Sequence, residues 1–173
     1  MQKHTTRLLA GFTLIELIVV ILILAILAAT ALPKFLSLAS DARISSLSGV
    51  KGSMTGAAVM AHGKYLVTSP PPASITVEGA TVTFSTAFAS GYPKADAGFA
   101  AAAGINSSGA NDYLIIPAGS AATANSPATT ATSEAVIPIS VANTPAGATC
   151  YVMYAEPASA TLAPTYTLTT TGC

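Results

Sequence analysis

Hydrophobic residues are concentrated near the start of the chain, where residues 12–32 read FTLIELIVVILILAILAATAL. Two threonines and Glu16 are the only polar residues in this run. As an α-helix the run would be roughly 30 Å long, which matches the hydrocarbon thickness of a bilayer. Lys3 and Arg7 precede it without any acidic residue, and such cations hold the adjoining end of a membrane helix in the cytoplasm. The pattern therefore predicts a membrane-spanning helix.

A cleaved secretory signal begins with the same combination of basic residues and an apolar run. Here the run is longer than the usual apolar core of such a signal, and it contains an acid near its start. No small-residue cleavage site is followed by an abrupt change to polar sequence. These features favour a retained helix over a removed signal.

The helical pattern continues beyond Pro33, but with a different character. Apolar residues now recur every three or four positions, as expected for one buried helix face: Ile44, Leu47, Val50, Met54, Ala57, Ala58, Ala61 and Tyr65. We predict one helix over about residues 13–66, with residues 12–33 in lipid and residues 34–68 packed on a domain. Pro33 is expected to kink or weaken it, because proline removes a backbone donor and crowds the preceding turn.

The three prolines at 70–72 end the helix, and the hydrophobic period then changes to two. Ile75 and Val77 alternate with polar residues before Glu78-Gly79, and Val82 and Phe84 do so after it, which predicts a hairpin. Further predicted strands are 113–116, 136–141, 150–155 and 166–170, with a short helix at 94–103 and loop at 118–133. Residues 69–173 are thus predicted to form a β-rich globular domain. The expected fold class is α+β, one long helix packed on an antiparallel sheet.

Charge gives little indication of function. The 173 residues include 7 basic and 7 acidic side chains, and charged residues make up 8% of the chain against 51% hydrophobic ones. Lys94 is the only cation after Lys64, so a nucleic-acid-binding surface on the β-rich part is not expected. A single-pass enzyme and a DNA-binding subunit are alternatives, and neither is favoured.

No catalytic, cofactor or metal site is predicted. His4 and His62 have no nearby cysteine or paired acids, and no nucleophile triad or phosphate-binding glycine loop is evident. The scattered acids are interpreted as solvated surface charges: Asp96, Asp112, Glu134 and Glu156. Asn106-Ser107-Ser108 fits the short glycosylation acceptor pattern but is interpreted as surface loop.

The two cysteines, Cys150 and Cys173, fall in the last quarter of the chain. Paired thiols that close a terminal loop would fit an oxidising compartment, and two unrelated free thiols are the alternative.

The segment Gly11-Phe12-Thr13-Leu14-Ile15-Glu16-Leu17 resembles the processing motif of type IV pilins and of the pseudopilins of type II secretion. The resemblance implies that residues 1–11 are a leader. A membrane prepilin peptidase would cleave between Gly11 and Phe12, and the new Phe12 amine would be methylated. It also implies that Glu16 acts in assembly by pairing with the Phe12 amine of a neighbouring subunit. An acid at headgroup depth beside the positive end of the helix dipole is the plainer interpretation of Glu16.

The resemblance extends past this motif. Pro33 stands where pilins commonly have a mid-helix proline, and Cys150 and Cys173 resemble the pair that closes a pilin C-terminal disulfide loop. Ala25 departs from the pattern, because many pilins have a glycine there that helps the helix loosen in the filament. Three segments resemble a narrower group, the mannose-sensitive haemagglutinin pilins: residues 42–65, Gly91-Tyr92-Pro93 and residues 150–173.

The resemblance implies a structural subunit and not an enzyme. Before assembly the chain would be a single-pass protein of the bacterial inner membrane, and afterwards a homo-oligomeric surface filament that adheres to surfaces or host cells. Its partners would be the prepilin peptidase and methyltransferase, the pilus assembly machinery, and a surface receptor or glycan. A pseudopilin of a type II secretion system is the alternative, and the terminal cysteine pair argues against it.

Overall fold

The computed structural model describes residues 12–86, 88–105 and 112–173. The first element is helix α1 (Leu14–Val67), as predicted, and it is continuous through residue 33. The kink expected at Pro33 stays a prediction. The chain divides after Ala39 into two compact units, and each of them contains part of α1.

The unit Ser40–Cys173 contains two antiparallel sheets. Strands β1 (Ser74–Val77) and β2 (Ala80–Thr83) form the predicted hairpin around Glu78 and Gly79, both of which have positive φ. Helix α2 (Ala97–Ala102) follows. The second sheet is a meander of four strands in sequence order: β3 (Tyr113–Ile116), β4 (Ser133–Pro138), β5 (Tyr151–Ala155) and β6 (Thr165–Thr169). The α+β class is confirmed.

One predicted strand is partly wrong. Residues 136–141 were expected to be a single strand, but β4 spans Ser133–Pro138 and helix α3 (Ile139–Ala142) follows at once. Proline has no backbone N–H to continue the ladder, so it ends the strand, and the Ile139 amide donates to Asp112 O at 2.9 Å. A 3₁₀ helix (Pro145–Thr149), which the sequence did not predict, then leads into β5.

The core of this unit lies between α1 and the four-stranded sheet. Helix α1 contributes Leu47, Val50, Met54, Ala57 and Ala58, all almost completely buried. They form one cluster with Phe99 of α2 and with sheet residues that include Val136, Val152 and Tyr154. The buried α1 positions recur every three or four residues, as on the buried face of an amphipathic helix.

Candidate assembly site

A capping box fixes the start of α1. Thr13 is the residue before the helix, and its Oγ1 accepts a hydrogen bond from the Glu16 amide at 3.2 Å. In return, Glu16 Oε2 accepts from the Thr13 amide at 3.2 Å and from the Thr13 hydroxyl at 2.9 Å. This reciprocal arrangement satisfies amide groups that the first helical turn leaves without intrahelical partners. The Glu16 carboxylate therefore lies at the positive end of the helix dipole, where a negative charge is favourable.

The segment Leu14–Ala31 is the one described stretch of helix that is long and apolar enough to cross a membrane. Its large side chains are exposed on every side of the helix, with exposed fractions from 75% at Leu14 to 45% at Ile18 and Val20. Such a surface is stable only in lipid or when covered by other apolar helices. The structure thus contains a long apolar surface that the described part of the chain leaves uncovered.

A second uncovered surface lies on α1 opposite the core of the globular unit. We call it the outward face: Gly49, Gly52, Gly56, Val59, Met60 and Gly63. A Cβ placed on any of the four glycines would meet no atom within 4 Å. Val59 and Met60 are 61% and 64% exposed. Glycines at this spacing allow another helix to approach closely.

The end of the chain is tied to α1 and to the sheet. Cys150 and Cys173 form a disulfide with a Cα–Cα distance of 4.9 Å. Arg43 of α1 donates from Nη1 to Cys173 O at 2.6 Å and from Nε to Ser140 Oγ at 3.1 Å. The last residues of the sequence are thereby held against the first turns of the globular unit.

Two of the acids expected on the surface are in fact buried. Glu134 of β4 is 0% exposed and Glu156 is 8% exposed, whereas Asp96 is half-buried and Asp112 is exposed. Burial and then the charges of Asp96 and Glu156 raise the pKa of Glu134 to about 8. The interpretation of Glu134 and Glu156 as solvated surface charges is therefore wrong, because β4 is buried along its whole length.

The remaining predicted residues fall in different places. His62 stacks on Tyr92 with ring centroids 4.0 Å apart and bonds to Gly91 O through Nδ1 at 3.1 Å, which is a packing role. Gly11, His4 and Asn106-Ser107-Ser108 lie outside the described residues. Thr13 was not singled out from the sequence, although a threonine three residues before a glutamate at the start of an apolar helix is a known capping pattern.

Residues 9–32 match a protein family described as the prokaryotic N-terminal methylation motif. The chain carries this motif. It is the motif of the type IV pilin and pseudopilin class, and it implies processing by a prepilin peptidase and assembly into a pilus-like filament. No curated protein and no solved structure matches the chain. The matched residues include the Gly11-Phe12 junction and the Thr13–Glu16 capping box.

Proposed function

We propose that the chain is the structural subunit of a type IV pilus, a surface filament that serves adhesion. The observation that carries the proposal is the methylation motif at residues 9–32, on a helix whose apolar surface the described residues leave uncovered. After cleavage between Gly11 and Phe12 and methylation of Phe12, the subunit leaves the inner membrane and enters a helical filament. The role is structural and not enzymatic.

The two uncovered surfaces of α1 support assembly from copies of the same chain. The span Leu14–Ala31 is apolar on all sides, and the outward face offers small and apolar residues with open space above them. Packing the span of one copy on the helices of others replaces lipid with protein. Because these are different surfaces, the contact is head-to-tail, and contacts that do not close on themselves generate fibres.

Glu16 is the residue proposed to set the register between copies. Its Oε2 is engaged by Thr13, and no described residue bonds to its other oxygen. In a protein core, a carboxylate without a charged partner is costly. The methylated Phe12 amine of a neighbouring copy supplies that partner.

A pseudopilin of a type II secretion system is the second candidate, since it would carry the same motif. The Cys150–Cys173 disulfide favours the pilin, because major pseudopilins are generally shorter versions of this fold that lack cysteines. The narrower resemblance to mannose-sensitive haemagglutinin pilins rests on residues 42–65, 91–93 and 150–173. The matched motif ends at residue 32 and does not reach these segments, so the subfamily is proposed on the sequence resemblance alone.

Electron microscopy of sheared surface filaments, with mass spectrometry of their main subunit, tests the proposal. We expect long fibres composed chiefly of this chain, and a deletion strain that lacks the fibres and adheres poorly to surfaces. A deletion strain that keeps its fibres but fails to secrete proteins across the outer membrane would overturn the pilin assignment in favour of the pseudopilin.

A further inference from the structure

Glu134 is a buried acid that the proposed function does not use. Its side chain is 0% exposed, and neither carboxyl oxygen has a hydrogen-bond partner among the described residues. A buried polar group without a partner is uncommon and expensive, and an ionised one far more so. Glu134 is therefore stable in this position as the neutral acid.

The groups around Glu134 are acidic or apolar. Tyr154 lies opposite it in the ladder between β4 and β5, and Glu156 follows at the end of β5. The negative charge of Asp96, the N-cap of α2, also acts on Glu134. The buried residues that α1 contributes to this core are apolar. No described cation bonds to Glu134, so its ionisation would place a third negative charge beside those of Asp96 and Glu156.

The same groups hold down a short segment, residues 92–96, which we call the strap. The Tyr154 hydroxyl donates to Pro93 O at 2.6 Å, and the Ala95 amide donates to Glu156 Oε1 at 2.8 Å. On its other side the strap is tied to the hairpin, where the Lys94 amide donates to Thr83 O at 2.8 Å. Lys94 itself is exposed, and Tyr92 stacks on His62.

We propose that Glu134 is a proton-controlled latch that keeps the strap on the sheet when neutral and releases it when ionised. Opening the strap exposes Glu134 to water and separates Ala95 and Asp96 from Glu156. Both changes relieve the cost of the buried charge. The closed form therefore binds a proton at Glu134 that the open form gives up.

The direction of the pH dependence follows from this linkage. The pKa of Glu134 is about 8 in the closed form, against an ordinary value of 4.5 when exposed. Stability from the neutral acid is complete below pH 4.5 and is lost as pH rises towards about 8, because only the closed form holds the proton in that window. Above about pH 8 Glu134 is ionised in both forms, so the stability of the closed form no longer changes with pH.

Trypsin provides a specific reporter of strap opening. Lys94 is the only lysine or arginine after Lys64, so cleavage of the Lys94–Ala95 bond is the only tryptic cut within residues 65–173. The Ala95 amide donates to Glu156 in the closed form, so this bond is a poor substrate until the strap leaves the sheet. We measure the rate at which the fragment beginning at Ala95 appears. At each pH this rate is divided by the cleavage rate of an unstructured peptide of the same sequence. The ratio reports the fraction of molecules with an open strap.

The experiment uses the full chain in detergent micelles between pH 7 and 9. For the wild type we expect the normalised rate to rise roughly tenfold over this range. Glu134→Gln should abolish the rise, while Glu78→Gln, in the exposed hairpin turn, should leave it unchanged. A wild-type rate that does not change with pH, or a rise as steep in Glu134→Gln as in the wild type, overturns the proposal.

Glu156→Gln keeps the proposal testable if Glu134→Gln does not fold. The amide oxygen can still accept from Ala95, but one negative charge facing Glu134 is gone. The pKa of Glu134 should then be less raised, so the increase in cleavage rate should level off at a lower pH. Between pH 7 and 9 the rate should therefore rise only a few-fold and not tenfold. An unchanged rise in Glu156→Gln contradicts the latch.

Discussion

At the scale of single residues, Glu16 illustrates how one side chain can serve two states of a protein. In the single chain it completes a capping box with Thr13, which satisfies backbone amides at the membrane end of α1. In the proposed filament it also pairs with a neighbouring amine. The first role is local and stabilises the helix start, whereas the second requires another subunit, so substitutions that separate capping from charge can distinguish them.

We predict that Glu16→Leu inserts into the membrane and is cleaved at least as well as the wild type, but yields few filaments. The substitution removes a polar group from the apolar span and also the charge that sets the register. The yield of sheared filaments is compared with the membrane fraction and the extent of cleavage, with the variant expressed alone.

Glu16→Gln is the matched control, because glutamine preserves the capping box but not the charge. It should assemble as poorly as Glu16→Leu. Normal filament yield from Glu16→Gln would show that capping, and not charge pairing, is what assembly requires.

At the scale of elements, the sequence pattern predicted more than it missed. The long helix, the hairpin and strand β3 follow from hydrophobic periods and turn residues that act locally, and these were predicted within a residue or two. Strand β4 was misplaced because the β-branched residues around Pro138 outweighed the proline, although proline ends a ladder. The burial of Glu134 depends on what covers β4 from distant parts of the chain, and no local pattern carries that information.

The division of α1 into a core face and an outward face predicts effects of very different size for two methionines six residues apart. Met54 is completely buried, so Met54→Ala should lower the free energy of unfolding by about 2 to 5 kcal/mol. Met60 is 64% exposed, and Met60→Ala should change it by less than about 0.5 kcal/mol. Denaturant titration of the full chain in micelles, followed by circular dichroism, gives both values. Equal effects would show that this half of α1 does not form the core described.

At the scale of the whole molecule, the chain combines a helix whose apolar surface needs lipid or other helices to cover it with a globular unit that has its own core. The disulfide and Arg43 tie the last residues of that unit to its first helical turns. In the proposed surface filament the subunit meets an oxidising environment, where such a covalent closure persists.

Removing both cysteines, as Cys150→Ala with Cys173→Ala, should lower the free energy of unfolding by about 3 kcal/mol, because the bond restricts the unfolded chain. The full chain is unfolded with denaturant under non-reducing conditions and compared with the wild type. Adding reductant to the wild type should reproduce the loss. A double variant as stable as the non-reduced wild type would mean that the closure does not stabilise the unit.

The mass of the intact subunit in sheared surface filaments tests the central claim most directly. A pilin processed at the motif gives a subunit that begins at Phe12, carries one additional methyl group and lacks two hydrogens for the disulfide. A filament subunit that retains residues 1–11, or one that begins well beyond residue 32, would contradict the account.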